Sequence, residues 1–315
     1  MNTAAKLSAY GAALALLTAG AFATGSAVGP LTTVAASGGH GAMSGDEVAG
    51  HGDTHSGTVP GTADQPAGLA SSRGGYTLTP TDPTLTPATP DTFSFVITGP
   101  DGAPVIAYDV EHDKRMHLIV VRRDTTDFAH VHPEMAPDGT WSVPLTTASA
   151  GSYRAFADFT PTGGEATTLG VDLVAPGVFE PVAHTPSRTA QVDGYTVELT
   201  GDLIAGQASP VTLAVSRDGV PVTDLQPYLG ANGHLVALRQ GDLAYLHVHP
   251  EETASAGPEI PFVAEVPTAG GYRLFLDFQH DGVVRTAEFT VPTSSEPTGL
   301  PSSPAPAHDA DGHGH

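Results

Sequence analysis

Short runs in which apolar and polar side chains alternate with a period of two fill two stretches of the chain, 76–175 and 195–292. In the run Tyr272–Phe278, Tyr272, Leu274, Leu276 and Phe278 fall on one face, and Arg273, Phe275 and Asp277 on the other. Successive side chains of a strand point to opposite faces, so the pattern predicts half-buried β-strands. Gly, Pro and Asp separate the runs and supply the turns.

The two stretches are copies of one another. Tyr76, Asp101, His117, His130 and Tyr153 answer to Tyr195, Asp218, His234, His247 and Tyr272, at an offset of 117 to 119 residues. Each copy has about seven short strands in about 100 residues, the size of an immunoglobulin-like sandwich. A Gly-x-Tyr lead-in, Gly151–Tyr153 and Gly270–Tyr272, resembles the tyrosine corner of that fold. The expected architecture is therefore all-β: two tandem immunoglobulin-like β-sandwich modules after an N-terminal hydrophobic helix and a disordered linker. A jelly-roll barrel is the alternative.

Composition agrees with this. The chain has 315 residues, enough for two domains, with 37 Gly, 28 Pro and only 15% charged residues. Its net charge of −22 disfavours nucleic acid and anionic lipid as partners and favours cations. There is no cysteine, which excludes disulfides and thiolate metal sites.

The ends place the protein. Lys6 is the only charge before the apolar run Leu7–Ala23, which closes on Ala21-Phe22-Ala23, a small-residue cleavage pattern. Residues 1–35 are expected to be a signal peptide or, with the apolar run extended to Leu31, an uncleaved anchor. Either puts the remainder outside the cytoplasm, secreted or held on the outer face of the membrane. Residues 36–75 read as a disordered Gly/His-rich linker, 176–194 as the linker between modules and 293–315 as a disordered His/Asp tail. The outer segments hold His40, His51, His55, His308, His313 and His315, weak candidates for loose metal capture.

The chemistry sits in a repeated His-x12-His-x-His constellation. In copy two, a turn centred between Gly241 and Asp242 sets His234 opposite His249, with His247 on the same face. In copy one, a turn between Asp124 and Thr125 does the same for His117, His132 and His130. Cross-strand neighbours lie about 5 Å apart and diagonal ones about 7–8 Å, so each copy is expected to bring three imidazoles to one ion. Asp158 and Asp277, on the strand expected beside His117 and His234, are candidate fourth ligands. Glu134 and Glu251 are weaker candidates, as ligands or as partners of a ring nitrogen. These histidines persisted while neighbouring positions drifted, which favours metal binding over a structural hydrogen-bond network. Histidine with carboxylate and no thiolate suits copper, then zinc. Met116 and Met135 flank the copy-one site, but Gly233 and Glu252 replace them in copy two, so they read as packing.

Catalysis finds little support. His-x-His followed by an acid resembles the cupin motif, but Glu134 and Glu251 follow too closely for it. Gly-x-Ser-x-Gly, Walker and His-Glu-x-x-His motifs are absent. A metal-dependent hydrolase is the minor alternative to a binding protein, and a cell-surface interaction module is the main one. The segments GHLVALRQGDLAYLHVHPE and KRMHLIVVRRDTTDFAHVHPEM, with the exported N-terminus and His/Gly linker, resemble exported actinobacterial proteins described as heavy-metal or copper-binding. That resemblance implies handling of a metal ion outside the cell, with another cell-envelope protein as a possible partner and the membrane met only through the N-terminal segment.

Overall fold

The computed structural model describes residues 66–246, 248–251 and 256–294, and of His249 the backbone. Every regular element among them is a strand. Copy one contains β1 (Ser72–Arg73), β2 (Tyr76–Pro80), β3 (Asp91–Thr98), β4 (His117–Arg122), β5 (Ala129–Val131), β6 (Glu134–Met135), β7 (Thr140–Leu145), β8 (Gly151–Phe159) and β9 (Thr167–Ala175). Copy two contains β10 (Thr189–Val192), β11 (Tyr195–Thr200), β12 (Gln207–Arg217), β13 (Val220–Pro221), β14 (Gly233–Arg239), β15 (Tyr245–Leu246), β16 (Val248–Pro250), β17 (Glu259–Val266), β18 (Gly271–His280) and β19 (Val283–Pro292). Ser72–Arg73 and Thr189–Val192, which the sequence reading left in linkers, are thus paired strands.

Copy one folds into two sheets, β1-β2-β3-β7-β6 and β5-β4-β8-β9, and copy two repeats them as β10-β11-β12-β17-β16 and β15-β14-β18-β19. This is the immunoglobulin-like arrangement, and the jelly-roll alternative falls away. Inward side chains fill each sandwich: Phe95, Trp141 and Tyr153 in copy one, Tyr195, Phe262, Tyr272 and Phe278 in copy two. Both tyrosine corners form. Tyr153 donates to the Ser149 carbonyl at 2.6 Å, and Tyr272 to that of Thr268 at 2.7 Å.

The outer faces of the two inner sheets are also apolar. In β4, Leu118 and Val120 face the sandwich core, while Ile119 and Val121 turn away from it and are still fully buried. They meet Val236, Leu238 and Phe275 of the other copy, so the two copies pack face to face. Phe128 stacks on Phe275 at 4.0 Å, and their counterparts Tyr245 and Phe156 meet at 5.7 Å. Equivalent residues exchanging partners in this way define an approximate two-fold relation. Residues 66–70 run into the same seam. Tyr245 N–H donates to the Ala67 carbonyl, Gly68 N–H to that of Thr168, and the Arg154 guanidinium to the Gly68 carbonyl. A Cβ on Gly170 would lie 1.9 Å from that Gly68 oxygen, so only glycine admits the strap.

Candidate metal centre

His117 opens β4 and, like Ile119 and Val121 at the same period, points into the seam. Hairpin pairing sets Ile119 opposite His130 and Leu118 opposite Val131, the register expected from the sequence. Pro133 then ends the pairing, having no N–H to give, and the chain crosses to β6 in the other sheet. His117, His130 and His132 each offer one nitrogen within 4.8 Å of the others, the one such triad among the described residues.

Hydrogen bonds set the ring orientations. His117 Nε2–H donates to the Glu111 carbonyl at 3.1 Å, because a carbonyl can only accept. That leaves the Nδ1 lone pair free, 3.1 Å from His130 Nε2. His130 in turn places Nδ1 2.8 Å from an Asp277 carboxylate oxygen, which also requires a donor. Two ring nitrogens stripped of their protons therefore face each other, unless a cation joins them. His132 Nε2 is buried beside them with no hydrogen-bond partner. One proton could bridge the first two nitrogens, which leaves His132 Nε2 as the nitrogen without a donor among the described residues. Ligand nitrogens around a tetrahedral ion at about 2.0–2.1 Å sit roughly 3.3 Å apart, close to the 3.1 Å between His117 Nδ1 and His130 Nε2, with the His132 nitrogen within 4.8 Å of both.

Burial lowers the pKa of His117 to about 4 and that of His132 to about 3, each assisted by neighbouring imidazoles. Both are neutral at pH 7, the form a metal takes. Burial lowers His234 too.

Copy two repeats part of this. His234 Nε2–H donates to the Tyr228 carbonyl at 2.8 Å, the counterpart of Glu111. The turn is centred as expected, with Ala237 opposite Leu246. Beyond Leu246 the register expectation fails. Val248–Pro250 joins the other sheet, and His249 pairs with Val263 rather than standing opposite His234. His247 and the side chain of His249 lie outside the described residues, as do His40, His51, His55, His308, His313 and His315.

The two aspartates stand on the strands expected of them. Asp158 stands opposite His117 and Asp277 opposite His234 in the ladders. Asp277 accepts Thr286 Oγ1–H at 2.6 Å and reaches across the seam to His130. Asp158 accepts Thr168 Oγ1–H at 2.9 Å in the equivalent way. Glu134 and Glu251 are exposed and outside the triad, Met116 is in the copy-one core, and Met135 packs against it.

Sequence reasoning missed His112. Its ring lies 5.1 Å from that of His234 and 6.2 Å from that of His117. The repeat gave no warning, because its counterpart is Leu229; both share a left-handed backbone, but only copy one has the imidazole. It missed the shared location as well. A cavity of about 320 Å³ between the copies is lined by His112, His117, His130, Asp158 and His234 together. The usable signal was the β4 segment HLIVVR, too continuously apolar for a strand with one wet face.

The fold and the triad define a tandem immunoglobulin-like chain with a His cluster able to hold a metal. The chain belongs to the family described as domain of unknown function DUF8832, whose model matches it twice, at residues 70–176 and 190–295. No curated protein matches. Among solved structures it is similar to the Escherichia coli adhesin FdeC, with 14% identity over 70% of this chain and 65% of that one, at a TM-score of 0.23. It is similar to invasin, a bacterial integrin-binding protein, with 16% identity over 70% and 39% of the two chains and a TM-score of 0.21. For the D0-D1 domain of intimin the values are 12%, 69%, 97% and 0.20. The chain thus spans less than two thirds of the first two. Likenesses this shallow carry no function across.

Proposed function

We propose that the protein binds a divalent metal ion outside the cytoplasm, copper first and zinc second, through His117, His130 and His132. The observation that carries this is the set of three convergent ring nitrogens, two of them stripped of protons by Glu111 and Asp277 and the third buried without a partner. Imidazole ligands without thiolate suit Cu(II) and Zn(II), and the affinity order favours copper. The extracytoplasmic placement rests on the signal-like segment Leu7–Ala23, outside the described residues. Among the described residues no helix is long and apolar enough to cross a membrane. Binding rather than catalysis is the reading, since the sequence carries no Gly-x-Ser-x-Gly, Walker or His-Glu-x-x-His motif.

The second reading is a structural network at a cell-surface module, with a shared proton between His117 and His130 as its link. Calorimetric titration of the full chain with Cu(II) and Zn(II), beside His132→Ala, separates the two. Loss of the tightest site in the variant supports the metal. Identical isotherms, with the tail histidines binding equally in both proteins, would sink it.

A further inference from the structure

The three triad histidines all come from copy one, but their setting does not. The acceptor that orients His130 is Asp277 of copy two, 147 residues away, whose side chain is only 5% exposed. Its other oxygen is anchored by Thr286, also of copy two. Next to this polar end the seam is dry, built from Ile119, Val121 and Phe156 on one side and Val236, Leu238 and Phe275 on the other.

We infer, resting on the metal reading above, that the ion is a clasp between the two copies: loading the copy-one triad locks copy two in place through the Asp277–His130 hydrogen bond. The chemistry is direct. A cation on His130 Nε2 withdraws electron density from the ring and makes Nδ1–H a stronger donor, so the bond to the carboxylate tightens. A divalent ion also places positive charge near the buried Asp277 carboxylate. Linkage then requires the reverse: a docked copy two raises metal affinity by the same factor by which metal favours docking. The apolar seam holds the copies together without the ion, and the bond at its polar end adds to that hold; the intervening segment leaves Val178 and Val182 exposed to solvent.

The test uses the full chain with zinc as probe and reads amide hydrogen exchange and zinc affinity together. In the native chain, saturating zinc slows exchange in both Ile119–Val121 and Val236–Leu238. In Asp277→Asn, zinc binds 10- to 100-fold more weakly, in the range of lost outer partners, and at saturation protects Ile119–Val121 alone. Thr286→Val keeps the carboxylate but frees it, and gives an intermediate loss. Comparing metal-free melting of the variants with that of the native chain separates loss of coupling from loss of fold. Equal protection of both copies in Asp277→Asn, or none in copy two of the native chain, overturns the clasp. His132→Ala distinguishes the two failures: zinc binding unchanged there removes the metal reading itself, whereas binding lost there but intact in Asp277→Asn removes only the clasp.

Discussion

Copy one and copy two carry the same His-Val-His-Pro-Glu segment, at 130–134 and 247–251, yet the chain leaves its first sheet at different points along it. In copy one, pairing with β4 runs on to Val131 and the crossover follows at Pro133. In copy two the described pairing with β14 covers Tyr245 and Leu246, and Val248–Pro250 belongs to the other sheet. Equivalent valines, Val131 in one copy and Val248 in the other, thus join different sheets. A duplicated motif therefore specifies residue types, and the point at which the strand exits specifies which sheet they join.

The largest test of that contrast is metal binding after His117→Ala and His234→Ala. If the centre belongs to copy one, His117→Ala abolishes the tight site, and His234→Ala, whose ring bonds the Tyr228 carbonyl instead of a triad nitrogen, leaves it nearly unchanged. Equal loss of one ion in each variant, read by calorimetry, would make the copies equivalent after all.

The seam that joins the copies comes next. Phe275→Ala removes the ring stacked on Phe128 at 4.0 Å and should cost about 3–5 kcal/mol, as a buried aromatic does. Chemical denaturation measures this, and a cost under about 1 kcal/mol would mean that the seam is not held by that pair.

Acidification acts on copy one through its buried histidines. His117 and His132 are neutral when folded, with pKa values near 4 and 3, while in the unfolded chain each takes up a proton near 6.5. Between those limits the unfolded state binds more protons, so stability is full above pH 6.5 and falls as pH drops below it. The slope approaches about 1.4 kcal/mol per pH unit for each histidine. Metal-free melting from pH 7 to 4 checks it, and His132→Ala should flatten the profile. A flat profile in the native chain would contradict the burial of these rings.

The smallest effect separates the tyrosine corners. Tyr153 donates both to the Ser149 carbonyl and toward the Asp127 carboxylate at 2.5 Å, whereas Tyr272 has the Thr268 carbonyl and hydroxyl. Tyr153→Phe should cost about 2 kcal/mol and Tyr272→Phe about 1, since hydrogen bonds to charged groups are the stronger. Equal costs would mean that Asp127 adds nothing.

Much of the fold was legible in the chain. The period-two runs, the repeat and the Gly-x-Tyr signals led to paired sandwiches, because each depends on neighbours within one module. The copy-one hairpin was legible for the same reason: the turn at Asp124–Thr125 sets the register that aligns His117 with the His130–His132 segment. The role of Asp277 was not legible. A residue's own strand and face can be read from alternation, but not which surface will cover that face. His112 stayed hidden because Leu229 breaks the repeat at that place.

By itself the sequence determined two all-β modules, their strand faces, the residue types at the centre and the face that three of them share, since all of these follow from local geometry with a period of two. Only the tertiary structure decided that this face is closed by the other copy, that an aspartate from one module orients a histidine of the other, and that His249 leaves for a different sheet. Those outcomes depend on the burial of apolar surface between distant segments, which is non-directional and leaves no spacing of its own in the chain.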